Sequence, residues 1–144
     1  MPIITPADLG TNIYAEIIEE ITREDATIAE RAITTAIQEA KLYLGKYNLT
    51  KLFGDVDVPA SVDDELLKSL VKDIACWHLL RLSNPAIDHG AYRTAYTDAI
   101  ATLKSIMTGQ AQPAGWPYAE PAETTLPDGN AIGWTSNPRR ANHY

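Results

Sequence analysis

The chain has 144 residues, 45% of them hydrophobic, 22% charged, and a net charge of -7. That length suits one globular domain, or one domain with a tail, and it supports a core without staples. One cysteine, Cys76, rules out an internal disulfide, and the acidic surface disfavours general phosphate binding.

No run of 18 apolar residues is present, and the MPIITPADLG start lacks a basic leader region. A soluble intracellular protein is expected, with no membrane partner. The first element begins at Thr5, a capping residue followed by Pro6 and, at the third helical position, Asp8. Ile13, Ile17, Ile18 and Ile21 continue it as a helical stripe, and Gly10 permits a division into two short pieces. Thr22 before Arg23-Glu24-Asp25 predicts the start of a second helix. Its inner face is Ile33, Ile37, Ala40 and Leu44, with Ala29, Ala32 and Ala36 along an edge that another helix can approach. Gly45 is a fitting stop.

Residues 46–61 read as a connection. Tyr47, Leu49, Leu52 and Phe53 should pack, and Asp55-Val56-Asp57-Val58-Pro59 permits a loop or a short edge strand. Ser61, with Asp64 three residues on, predicts the cap of a third helix. This helix carries apolar residues around most of its circumference from Leu66 to Leu82, so several neighbours should touch it. Asn84-Pro85 ends it. The fourth helix has one clean stripe, Tyr92, Tyr96, Ala99, Leu103 and Ile106, and Gly109 stops it.

From Gln110 onward, five prolines and three glycines exclude a useful helix. The expected fold is all-α: a small bundle of about four helices over 1–109 and a long irregular arm over 110–144. The arm holds Trp116 and Trp134, two of the three tryptophans, together with Tyr118, Arg139, Arg140 and Tyr144. Aromatics and arginines anchor interfaces, whereas disordered linkers are depleted in aromatics. These six residues are the expected partner-binding set, with folding back onto the body as the alternative. Fully extended, the arm reaches on the order of 110 Å, far beyond the body.

A catalytic constellation is not legible. Cys76 and His78 point to different sides of a helix and cannot share a metal. His78 reads as a core or interface histidine bonded to a neighbour, His89 as solvated, and His143 as part of the tail. Cys76 reads as a buried structural thiol. Asp63, Asp64 and Glu65 suit a helix N-terminus, and Glu16, Glu19 and Glu20 form a solvated acidic face. Tyr92 and Tyr96 belong to the core stripe. Lys41, Lys46 and Lys51 complement a helix end or face an acidic partner. An enzyme, a cofactor and a metal are not expected.

The order of segments resembles the Mu-like prophage neck family and, in organisation, the head-completion or adaptor proteins of long-tailed phages. The matching pieces are Ile4–Leu9, Ala29–Ile33, Ala40–Tyr47, Val58-Pro59, Leu66–Ala75, Leu79–Arg81 and Tyr92–Gly109. The resemblance covers 1–109. It implies a non-catalytic head-tail connector: a homo-oligomeric, dodecameric ring below the portal that bridges capsid to tail. Its partners would be the portal protein, tail or neck proteins and itself, with DNA passing nearby without specific binding. Its place would be the virion neck, and the host cytoplasm during assembly. The alternative is a non-catalytic helical interaction protein of another phage-like or contractile injection particle.

Overall fold

The computed structural model describes residues 2–82 and 88–121. Among them the fold is all-helical: an opening 3-10 helix Pro6–Thr11, then α1 (Ala15–Thr22), α2 (Ala26–Tyr43), α3 (Leu49–Phe53), α4 (Glu65–Leu80) and α5 (Gly90–Thr108). The expected division of the first element is real. Thr5 offers its amide and hydroxyl to the Asp8 carboxylate at 2.6 and 2.8 Å, and Pro6 opens the short helix. Its far end is tied to α4, where Asn12 Nδ2 donates to Asp73 Oδ1 at 2.6 Å and Lys72 Nζ to Thr11 Oγ1 at 3.0 Å.

Two expected caps are displaced. Thr22 does not start α2; it is buried and closes α1. Arg23 and Glu24 then adopt left-handed backbone angles, φ 49° and 69°. That reversal takes up the residues expected to form the first turn. Asp25 caps α2 instead, accepting the Thr27 amide at 3.0 Å. At α4 the cap is Asp64, not Ser61, and its Oδ1 accepts the Leu67 amide at 3.1 Å. Ser61 is occupied elsewhere: its amide and that of Val62 both donate to the Lys51 carbonyl, at 3.0 and 3.1 Å.

The core follows the stripes. Ile33, Ile37, Ala40 and Leu44 are buried, and so are Ala29, Ala32 and Ala36 on the small-residue edge. Helix α4 lies along α2 and also touches α1, α5 and the 3-10 helix. This accounts for burial at Leu67, Leu70, Val71, Ile74, Ala75, Cys76, Leu79 and Leu80 around much of its girth. Helix α5 contributes Ala99, Leu103 and Ile106, and Gly109 ends it at φ 82°, a conformation that suits glycine. Between α2 and α4 the sequence predicted a loop with packed residues. Part of it is helical: Asn48 caps the one-turn α3 through the Lys51 amide at 3.0 Å, and Leu52 and Phe53 are buried. Residues 54–60 carry no strand, and a 2.7 Å Asp55-to-Val58 backbone bond closes a turn there. The Asn84-Pro85 boundary lies outside the described residues.

Candidate functional site

Residues 110–121 pack back onto the body as a strap. The Ala111 amide donates to the Ser105 carbonyl at 3.1 Å, and Gly115, at φ 78°, turns the chain inward. Trp116 is then only 4% exposed. Its indole Nε1 donates to Asp64 Oδ2 at 2.7 Å, while Oδ1 of the same carboxylate caps α4. One carboxylate therefore joins the strap to a helix N-terminus. Burial alone would raise the Asp64 pKa; hydrogen bonds from Trp116 and the first-turn amides outweigh it and hold the carboxyl below its ordinary value.

The strap next pairs with the chain after α2. The Asn48 amide donates to the Pro117 carbonyl at 2.8 Å, and the Ala119 amide to the Lys46 carbonyl at 2.9 Å. These bonds frame a single antiparallel bridge between Tyr47 and Tyr118. Trp116 meets the Tyr47 ring edge-on at 5.4 Å, and Tyr118 stacks on it at 5.2 Å. Tyr118 remains 60% exposed. The Tyr47 hydroxyl is buried and finds no hydrogen-bond partner among the described residues.

Of the six residues expected to bind a partner, Trp116 is thus anchored inside its own chain, and Tyr118 shows a face to solvent beside it. Trp134, Arg139, Arg140 and Tyr144 lie outside the described residues, as does His143. The three lysines near the end of α2 also divide. Lys41 lies 5.6 Å from the centre of the Phe53 ring and Lys46 5.3 Å from that of Tyr47, while Lys51 is exposed.

A second polar cluster joins α2, α4 and α5. Glu39 Oε2 lies 2.8 Å from His78 Nε2, and Glu39 Oε1 accepts the Tyr96 hydroxyl at 2.6 Å. The hydrogen bond to Glu39, followed by burial, pushes the Tyr96 phenol up to about 12. Trp77 stacks on Tyr96 at 5.8 Å and meets His89 edge-on at 6.3 Å. His78 is therefore a bonded interface histidine, as its apolar helix implied. His89 is half-buried against Trp77, contrary to the solvated position expected for it. Cys76 is buried, and desolvation pushes its thiol up to about 12, so it has little thiolate character.

Glu39, Asp64 and Tyr47 organise these contacts, and none was singled out as such in sequence. Asp64 gave a signal, since an acid just before an apolar helix is a cap candidate in its own right. Glu39 gave none: its partners are 39 and 57 residues away. Among the described residues no group of histidine, cysteine and acids could hold a metal ion, and no helix is long and apolar enough to cross a membrane.

No curated protein and no solved structure matches the chain significantly. One family does, over residues 4–127. The match starts at buried Ile4, runs through all five helices and continues past Gly109 through the strap. Matched over this length, the chain belongs to the phage protein family described as Bacteriophage Mu, Gp36.

Proposed function

We propose that this protein is a head-tail connector of the adaptor or head-completion kind. Copies of it would form a ring below the portal and bridge capsid to tail. The observation that carries this reading is family membership across residues 4–127, which points to a phage structural or morphogenesis protein. The molecule suits such a role physically. Its charge of -7 lets DNA pass nearby without being gripped.

The test is native mass spectrometry of the purified protein, alone and mixed with the portal encoded in the same gene cluster. A ring mass, or a portal complex with a fixed number of added subunits, is expected. A monomer that ignores the portal at high concentration overturns the connector reading. It would favour a helical interaction protein of another phage-like or contractile particle.

A further inference from the structure

A groove of about 460 Å³ opens where the first turns of α2 meet the end of α4. Ile28, Ala32 and Leu82 give it an apolar lining, and Arg31, Arg81 and His78 give it a polar one. Leu82 is 66% exposed, so the lining includes a large solvent-facing aliphatic side chain. Arg31 and Arg81 are exposed, and among the described residues neither forms an ion pair. His78 already has Nε2 committed to Glu39. The groove thus presents two exposed guanidiniums without an ion pair among the described residues, on a protein whose net charge is -7; Arg31 also acts on the Asp25 carboxylate at the start of α2.

The same chain carries the complement. Glu16, Glu19, Glu20 and Glu24 are exposed on α1 and the turn after it, and none is ion-paired among the described residues. Glu19, Glu20 and Glu24 border one concavity with Arg23. The left-handed pair Arg23-Glu24 fixes the backbone of this edge. Exposed features of opposite charge on one chain can meet across copies.

We propose that the groove receives the Glu19–Glu24 edge of a second copy of this chain, in a head-to-tail contact. Leu82 is the apolar anchor, and Arg31 and Arg81 select the acidic edge. Such a contact uses different surfaces on its two sides, so it propagates and closes when the rotation per copy permits. The inference rests on the ring reading above and assigns the surfaces that join its subunits. A negatively charged molecule repels its copies in general, so recognition must come from a local patch of this kind.

The test is a dilution series of the full-length, isotope-labelled protein by NMR, from about 20 µM to about 1 mM, a range that detects contacts as weak as millimolar. Resonances of the groove and of the acidic edge are expected to shift together with concentration. Arg31→Gln/Arg81→Gln and Glu19→Gln/Glu20→Gln/Glu24→Gln should each weaken self-association at least about tenfold, which is about 1.4 kcal/mol. All these side chains are exposed, and circular dichroism checks that both variants fold. Mixed, the two variants should form a one-to-one dimer and nothing larger, because only one intact groove meets one intact edge.

Concentration-independent wild-type spectra, unaltered association of the arginine variant, or no dimer on mixing each overturns the inference. So does a response of the groove to duplex DNA without one to concentration. Portal binding by a wild type that shows no self-contact sinks this inference alone. Self-contact through the groove without portal binding sinks the connector reading alone.

Discussion

Two carboxylates show how a residue's neighbours decide the sign of its contribution. Asp64 is held below its ordinary pKa by hydrogen bonds that outweigh burial, so it stabilises the fold at neutral pH and loses that effect as pH falls through its folded value. Asp73 is the opposite case. Burial raises its pKa above the ordinary 3.8, against the lowering effects of the Asn12 hydrogen bond and of Lys72. A carboxyl that holds its proton more tightly when folded stabilises fully below its unfolded pKa. That stabilisation is lost as pH rises through the folded value. Asp73→Asn keeps an oxygen for Asn12 Nδ2 and removes the charge. The variant is expected to match wild type near about pH 3.5 and to be at least as stable at about pH 7. Urea denaturation at both values checks this, and a clear loss at neutral pH would show that the Lys72 attraction outweighs desolvation.

At the scale of elements, the strap is the piece that sequence grammar placed least well. Its prolines and glycines argued against a helix, and its aromatic content raised two readings, docking on a partner and folding back onto the body; Trp116 takes the second. The surface it docks on could not be read, because Trp116 pairs with a carboxylate 52 residues earlier and Tyr118 with a ring 71 residues earlier in the chain. The helical stripes were legible for the reverse reason: spacings of three and four residues are set by the helix itself. Helix starts fell between these cases. Thr22 and Ser61 have cap chemistry, yet a left-handed turn and a carbonyl on α3 claimed their neighbourhoods. A pair of truncations measures what the strap contributes. A chain ending at residue 121 keeps Trp116, the Asp64 bond and the Tyr47–Tyr118 bridge, and should melt close to wild type. A chain ending at 109 should remain helical but lose about 3–5 kcal/mol, the scale of deleting a buried tryptophan. That corresponds to a fall in Tm on the order of 10 °C or more, read by circular dichroism. Equal melting of the two truncations would mean that the strap lies on the body without stabilising it.

At the scale of the whole molecule, charge separates a conduit from a clamp. The chain has 19 acids against 12 lysines and arginines. Several cations on the described surface are already engaged: Lys68 by Asp63 and Glu65, Lys41 and Lys46 by aromatic rings, Lys72 by Thr11. Duplex DNA binds proteins mainly by exchanging condensed counterions for lysine and arginine, so affinity scales with the number of phosphates neutralised. The other described cations, Arg23, Arg31, Lys51, Arg81, Arg93 and Lys104, act against a net negative field of 19 acids. The expected outcome is no retardation of duplex DNA by the full-length protein at about 0.15 M salt. Lowering salt strengthens both the few attractive contacts and the overall repulsion, so it should not create tight binding. If the protein is a channel component, this weakness lets DNA slide past copies arranged around it. Tight binding that weakens steeply with salt would instead mean that a basic surface forms from residues beyond those described here, Arg139 and Arg140 among them, and the DNA-conduit role would have to give way to a DNA-gripping one.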